Sequence, residues 1–293
     1  MILVALLYAI LASTFIFAKQ ALAYSPPFFL IGFRMILAGI ILLSYYRYQH
    51  GPIHIKREDY GLFFRVAWFH IFCAFVLEFW ALQYLSALKT TVIYSATPFI
   101  TALLAFILLK ESLSYKKVLG ILVGLAGLLP VFIVHSTQAD TSSLWLVSVP
   151  DCVLLLAVIS SAYAWFLVKQ LMTKGYSLVV INGVAMLLGG ILSYAISLVF
   201  EGFGHQVTNW PAFLWWVILL IIVSNVLVYN FYGYLMHRYS ITFISFSGFL
   251  CPGFAALYEW LFMGGSITWH YLASLALVTA GLYIFYRDEL KIR

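Results

Sequence analysis

Between two short polar segments the chain reads Leu178-Val-Val-Ile-Asn-Gly-Val-Ala-Met-Leu-Leu-Gly-Gly-Ile-Leu-Ser-Tyr-Ala-Ile-Ser-Leu-Val-Phe200, a run of 23 residues without Asp, Glu, Lys or Arg. A helix needs about 20 mostly apolar residues to cross the hydrocarbon core of a bilayer. This run therefore predicts a transmembrane helix.

The composition extends that prediction to the whole chain. Of its 293 residues, 65% are hydrophobic and only 9% are charged, and the mean hydropathy is +1.03. Charged residues make up roughly a quarter of an ordinary soluble domain. The chain is therefore expected to be a membrane protein, with the lipid bilayer as its surroundings.

Ten apolar stretches of sufficient length follow one another. They are predicted as spans at 2–19, 26–46, 61–84, 88–109, 116–134, 151–171, 178–200, 211–235, 240–262 and 269–286. The predicted fold class is an all-α polytopic membrane protein with ten transmembrane helices. The first stretch lacks the basic start of a secretory signal, so it is expected to be the first span.

The basic residues indicate an orientation. With a cytoplasmic N-terminus, 13 of the 16 Lys and Arg residues fall in cytoplasmic regions. The loops on the opposite side, around 135–149, 201–210 and 263–268, contain neither Lys nor Arg. Because cytoplasmic loops are enriched in these residues, both termini are expected to be cytoplasmic. The net charge of +6 is explained in the same way, so nucleic acid is not an expected partner.

The second half of the sequence repeats the first. Ala18-Lys19-Gln20 matches Val168-Lys169-Gln170, and a shift of 154 places Pro98 on Pro252 and Gly127 on Gly281. This pattern predicts a first five-helix repeat at 1–134, an external linker at 135–149 and a second repeat at 150–293. Five spans per repeat make the two repeats inverted in the membrane, which is the arrangement that alternating-access carriers use.

Several motifs of the first half resemble the drug/metabolite transporter superfamily, EamA type. They are the run from Trp80 to Thr91 (WALQYLSALKTT), the run from Pro98 to Ala105 (PFITALLA), Lys110-Glu111, and the glycine-rich run from Gly120 to Gly127. The resemblance implies a bacterial inner-membrane carrier of metabolites, often an exporter or exchanger. The second half departs from it, with Gly265 at the position of Glu111.

Charged residues inside spans are candidate functional residues, because they are costly in lipid. Glu78 and Lys89 could form an ion pair that only joins two helices, or they could bind substrate. Arg34 could bind a substrate carboxylate or clamp helices through hydrogen bonds. Glu259 follows Pro252, which can kink its helix towards a substrate site, or it could lie at the solvated outer interface.

Polar and aromatic residues within the spans complete the candidate site. Asn225, Tyr229 and Tyr232 form one stripe of the eighth predicted span. Such a stripe faces the interior of a helical bundle, where it either joins helices through hydrogen bonds or lines a cavity. Trp80 and Trp165 lie deeper than the interfacial aromatic residues and could stack on a ring or a cation or could simply pack in the core. Tyr163 lies near the middle of the sixth predicted span and is a further candidate.

Other classes of site lack support in the sequence. The three cysteines, Cys73, Cys152 and Cys251, are too far apart to indicate a disulfide framework or a metal site, and neither metal nor cofactor is expected. Common catalytic motifs are absent, so an enzyme is not expected. The fifth span has a face of small residues, formed by Gly120, Gly124 and Gly127. This face could pack within the chain or form a homodimer contact.

The predicted function is therefore secondary transport of a small polar metabolite by alternating access. The charged candidates favour an amino acid, a related zwitterion or a nucleoside-linked amino acid. The alternative is a multidrug or metabolite efflux carrier of broad specificity, and an intramembrane enzyme or a channel is disfavoured.

Overall fold

The computed structural model describes residues 2–110, 114–127, 129–130, 148–202, 207–236, 238–239, 244, 247–248, 250–263 and 269–289. All regular structure in these residues is helical. Glu111, Gly265 and most of the predicted linker at 135–149 lie outside the described residues.

Eleven helices are numbered here in chain order over the described residues. They are α1 (Ile2–Leu22), α2 (Pro27–His50), α3 (Arg57–Leu82), α4 (Ala87–Tyr94), α5 (Thr97–Leu109), α6 (Tyr115–Ala126), α7 (Val149–Thr173), α8 (Leu178–Phe200), α9 (Trp210–Met236), α10 (Leu250–Met263) and α11 (Trp269–Glu289).

Seven helical stretches in the described residues are long and apolar enough to cross a membrane. They are α1, α2, α3, the stretch made of α4 and α5 together, α7, α8 and α9. The chain is thus an all-helical, multi-pass membrane protein. The three remaining predicted spans coincide with α6, α10 and α11, and the first two of these lie partly outside the described residues.

The fourth predicted span is interrupted rather than continuous. Helix α4 ends at Tyr94 and α5 begins at Thr97, with Pro98 in its first turn. Proline cannot donate a backbone hydrogen bond, and its ring clashes with the carbonyl four residues earlier. That carbonyl belongs to Tyr94, and the hydroxyl of Thr97 donates to it at 2.5 Å. The break therefore places Tyr94 at the end of a helix inside the bundle.

Two helices contain a wide π-helical turn. In α3 it covers Ala67–Cys73, and in α9 it covers Ile221–Val228. The two turns begin 154 residues apart, which is the offset of the internal sequence repeat. Such turns are rare and are found mainly at functional sites.

The glycine-rich face of α6 packs within the chain. A Cβ atom on Gly281 of α11 would lie 2.4 Å from the backbone nitrogen of Gly124, and one on Gly120 would lie 2.6 Å from the carbonyl oxygen of Gly281. Only glycine allows the two helix backbones to approach so closely. The prediction of close packing within the chain is confirmed for this face.

Helix α3 is capped by a lysine from α1. The ammonium group of Lys19 donates to the carbonyl oxygens of Leu82 at 2.6 Å and Leu85 at 2.9 Å. The last carbonyls of a helix have no partner within the helix and favour a positive charge. This contact fixes the end of the helix that carries Glu78.

Helix α7 is tied to the first half of the chain at both of its ends. At its start, Asp151 forms an ion pair with Lys89 of α4. Just beyond its end, Lys174 forms an ion pair with Asp59 of α3. The hydroxyl of Tyr176 also donates to Asp59, at 2.6 Å. At about 1.5 Å per residue, the two ties are roughly 35 Å apart.

Candidate functional site

The candidate site is a cavity of about 140 Å³ between α1, α3, α4, α7 and α9, to which α5 and α10 each add one residue. The described residues that line it include Tyr8, Thr14, Phe15, Phe75, Glu78, Thr91, Tyr94, Thr97, Ser161, Trp165, Ser224, Tyr229, Tyr232 and Cys251.

Glu78 supplies the carboxylate of this cavity. It follows the π-helical turn of α3 and is largely buried, with 8% of its surface exposed. Its Oε2 atom accepts a hydrogen bond of 2.6 Å from the hydroxyl of Tyr94. The helix break at Pro98 and the cap from Lys19 therefore position the two partners. Glu78 is thus one of the sequence-predicted candidates that the structure brings to the cavity.

Aromatic rings form the wall on the side of α7 and α9. The rings of Trp165 and Tyr232 stack with their centroids 4.2 Å apart and their planes at 22°. Tyr229 lies 6.0 Å from Trp165, and Phe75 lies 6.2 Å from Tyr229. Flat aromatic faces of this kind bind planar rings and weakly hydrated cations.

His70 lies behind this aromatic wall, on the π-helical turn of α3. Its ring contacts Trp165 edge-on at 4.7 Å and Tyr229 at 5.1 Å. The side chain is 1% exposed, and neither ring nitrogen has a hydrogen-bond partner in the described part of the chain. Sequence reasoning did not select His70 or Tyr94, because neither the π-helical turn nor the helix break can be read from a span prediction.

Lys89 is not the partner of Glu78 that the sequence suggested. Its ammonium nitrogen lies 2.8 Å from Oδ1 of Asp151 and donates to Oδ2 at 3.0 Å. Both side chains are fully buried. The turn before α4 directs Lys89 towards the start of α7 rather than back along α3. The expected Glu78–Lys89 pair is therefore wrong, and Lys89 does not line the cavity.

Arg34 lies outside the cavity as well. Its guanidinium carbon is 5.0 Å from the ring centre of Phe75 and 5.1 Å from that of Phe79. The side chain is 1% exposed, and its Nε and Nη2 atoms have no hydrogen-bond partner in the described residues. Arg34 does join α2 to α3, as one prediction had it, but through aromatic faces instead of hydrogen bonds.

Three further candidates lie away from the cavity. Trp80 lines a separate surface depression with Tyr84 and Glu201. Tyr163 packs edge-on against Phe69 at 5.0 Å. Asn225 is fully buried, and its side-chain nitrogen contacts the sulfur of Met35 at 3.1 Å.

The predicted stripe of the eighth span is thus divided. Tyr229 and Tyr232 face the cavity, whereas Asn225 faces α2 and α8. The π-helical turn changes the angular spacing along the helix, so positions that share a face in a regular helix separate here. Glu259 lies on α10, and its side chain is outside the described residues.

A multi-pass helical chain that encloses a polar and aromatic cavity between its membrane helices has the architecture of a membrane transporter. A sequence profile described as the EamA-like transporter family matches residues 1–133 and 149–287. The chain belongs to this family, and the predicted drug/metabolite transporter resemblance is confirmed. It is a transporter and not an enzyme.

Relatives agree with this assignment, and a solved structure agrees with the fold. The chain is 31% identical to an S-adenosylmethionine/S-adenosylhomocysteine transporter of Chlamydia muridarum over 96% of this chain and 89% of that protein. A protein of the same name from Chlamydia trachomatis is 30% identical over 96% and 86%. A solved crystal structure of a protein 17% identical superposes with a TM-score of 0.67 over 96% of this chain and 94% of that one, which supports the fold alone.

Proposed function

We propose that the protein carries a nucleoside-linked amino acid of the S-adenosylmethionine type across the membrane through the cavity around Glu78. The observation that carries this proposal is the pairing of one carboxylate with a wall of aromatic rings. This combination matches a substrate that has both a planar base and positive charge.

The chemistry of each part supports this substrate class. The adenine ring can stack on the Trp165–Tyr232 pair, and stacking on an aromatic side chain contributes about 1–3 kcal/mol per base. A positively charged group can interact with Glu78 and with the nearby ring faces, and each ring contact contributes about 0.5–2 kcal/mol. The names of two relatives at 31% and 30% identity point to the same class. A free amino acid has no planar base that could stack on this pair of rings.

Alternating access between two inverted five-span repeats is the proposed mechanism. The two profile matches, 1–133 and 149–287, fall on the predicted repeats at 1–134 and 150–293. The π-helical turns at Ala67–Cys73 and Ile221–Val228 recur at the repeat offset and support the same division. Together with the positive-inside pattern, this favours ten spans in a bacterial inner membrane with both termini cytoplasmic.

Uptake into proteoliposomes tests the substrate. Purified protein is reconstituted, and radiolabelled S-adenosylmethionine is offered to vesicles loaded with unlabelled S-adenosylhomocysteine. We expect saturable uptake that the internal ligand accelerates, because a carrier returns faster when loaded. Protein-free vesicles are the control. Equal uptake of methionine or of unrelated aromatic cations would contradict the proposal, and the second result would favour a broad efflux carrier.

Thiol labelling tests the topology. In a chain with Cys73, Cys152 and Cys251 replaced by serine, single cysteines are introduced at Ser142 and at Arg293. We expect a membrane-impermeant maleimide to label position 142 in intact cells and position 293 only after the cells are permeabilised. Labelling of both positions in intact cells would contradict an odd number of spans between them, and with it the five-span second repeat.

A further inference from the structure

We infer that Glu78, held by Tyr94, is the subsite for the fixed positive charge of the substrate, so that the protein binds a sulfonium more tightly than the corresponding thioether. This inference rests on the proposed function and specifies which atom of the substrate the carboxylate recognises. S-adenosylmethionine carries a sulfonium, whereas S-adenosylhomocysteine carries a neutral thioether. The amino-acid and nucleoside parts of the two molecules are the same, so selectivity between them must come from the sulfur.

The acidic and basic side chains around the cavity favour a cationic ligand. Among the described lining residues, Glu78 alone has an acidic carboxyl group, and none has a basic side chain. One carboxylate oxygen is occupied by the Tyr94 hydroxyl at 2.6 Å. The other, Oε1, accepts no hydrogen bond from the described residues. A carboxylate that has left bulk water interacts strongly with a nearby cation, so a ligand with a positive charge next to Oε1 is favoured.

The buried basic residues Lys89 and Arg34 do not place a positive charge inside the cavity. Lys89 forms an ion pair with Asp151, with 2.8 Å between their charged atoms. Arg34 is close enough to interact with Glu78 electrostatically, but its guanidinium lies on the rings of Phe75 and Phe79. Neither group lines the cavity. Because no described lining residue is basic, a counter-charge on the cavity side of Glu78 is left to the ligand.

The aromatic rings of the cavity favour a sulfonium over strongly hydrated cations. Tyr229 and the stacked Trp165–Tyr232 pair line the same cavity, and the ring of Phe15, which also lines it, lies 5.5 Å from the ring of Tyr94. Aromatic faces attract a weakly hydrated cation, which loses little hydration when it leaves water. A sulfonium bears its charge among carbon substituents and suits such a site. A neutral thioether gains neither the ring attraction nor the carboxylate.

The experiment compares two ligands on one protein preparation. Binding of S-adenosylmethionine and S-adenosylhomocysteine is measured by isothermal titration calorimetry with purified full-length chain and with Glu78→Gln. We expect the substitution to weaken binding of the sulfonium by about tenfold or more, as for a lost interaction with a charged group, and that of the thioether by less than about threefold. Misfolded protein lowers the number of binding sites for both ligands and leaves the ratio of their Kd values unchanged.

Two further variants sharpen the result. Glu201→Gln makes the same chemical change at a carboxylate outside the cavity, where it accepts from the backbone nitrogens of Phe28 and Phe29. We expect this control to keep the wild-type ratio of the two Kd values. Tyr94→Phe removes the hydroxyl that holds Glu78, and we expect a smaller loss in the same direction. Equal weakening of both ligands by Glu78→Gln would overturn the inference.

A second ligand pair separates this inference from the proposed function. S-methylmethionine carries a sulfonium and methionine a thioether, and neither contains adenosine. If the chain binds neither adenosyl compound but prefers S-methylmethionine in a Glu78-dependent way, the substrate proposal fails and the charge subsite stands. If it binds both adenosyl compounds with a ratio that Glu78→Gln leaves unchanged, the substrate proposal stands and the charge subsite fails. Binding of none of the four ligands contradicts both.

Discussion

His70 is a buried histidine whose two ring nitrogens have no partner in the described part of the chain. Its ring instead packs edge-on against Trp165 and Tyr229, which line the cavity. A buried polar atom without a hydrogen bond costs about 1–3 kcal/mol. The shape of the ring, more than its nitrogens, therefore supports the aromatic wall.

This arrangement predicts opposite effects for two substitutions. His70→Phe keeps a ring of similar size and removes the unpaired nitrogens, so we expect the Tm in detergent to stay the same or to rise. His70→Ala leaves a hole behind Trp165, so we expect the Tm to fall. Thermal unfolding followed by tryptophan fluorescence measures both. A similar fall in Tm for the two variants would indicate that the ring nitrogens have a partner.

Helices α4 and α7 are joined by a fully buried charge pair. The carboxylate of Asp151 lies 2.8 Å from the ammonium of Lys89, and it also accepts from the backbone nitrogen and hydroxyl of Ser148 at 3.0 and 2.7 Å. One side chain thus caps the start of α7 and neutralises Lys89. Removing one member of such a pair leaves an uncompensated charge in a dry environment.

This ion pair predicts how the free energy of unfolding changes when one or both of its charges are removed. We expect Lys89→Met to lower the free energy of unfolding by about 3–5 kcal/mol, the usual cost of leaving a buried charge unpaired. The double variant Lys89→Met with Asp151→Asn removes both charges and keeps an acceptor for the cap, so it should recover most of that loss. Denaturant titration in mixed micelles measures the difference. A double variant as unstable as Lys89→Met alone would show that charge pairing is not the cause.

The two ion pairs that join the ends of α7 to the first half of the chain differ in their exposure to solvent. The Lys89–Asp151 pair is fully buried, whereas the Lys174 side chain at the other end is 46% exposed and its partner Asp59 is 3% exposed. An exposed ion pair is weaker than a buried one, because water and salt screen it. The end of α7 next to Lys174 is therefore the one expected to separate from α3 more easily, which would open the cavity on that side.

We expect Lys174→Met to increase the rate at which a maleimide labels a cysteine introduced at Ser161, which lines the cavity. The matched control is Lys56→Met, because Lys56 pairs with Glu58 at 3.8 Å with both side chains mostly exposed. We expect this control to leave the labelling rate unchanged. Equal rates in Lys174→Met and in the parent protein would show that this tie does not limit access.

The same tie has a pH dependence of known sign. The hydrogen bond to Asp59 raises the pKa of Lys174 above its ordinary value. A group whose pKa is raised on folding stabilises the folded state below its ordinary pKa, and this contribution is lost as the pH rises through the folded value. Labelling at position 161 should therefore accelerate above the ordinary lysine range, and Lys174→Met should abolish that acceleration.

Some parts of the site could be predicted from the sequence and others could not. Glu78, Trp165, Tyr229 and Tyr232 stand out in the sequence because they are polar or aromatic residues within apolar spans, and the structure places all four around one cavity. Lys89 was assigned the wrong partner, since Asp151 is 62 residues away along the chain. Asn225 was separated from its stripe by a π-helical turn that has no reliable sequence pattern.

The chain's apolar runs by themselves determined that it is an all-helical membrane protein and where most of its membrane helices lie. A segment in lipid has to satisfy its backbone hydrogen bonds within itself, so length and composition are sufficient for this step. Only the tertiary structure decided which buried charges meet and which rings face the cavity. Those contacts depend on the rotation and closeness of helices that are distant in sequence, as with Glu78 and Tyr94 across the break at Pro98 or Lys89 and Asp151 between α4 and α7.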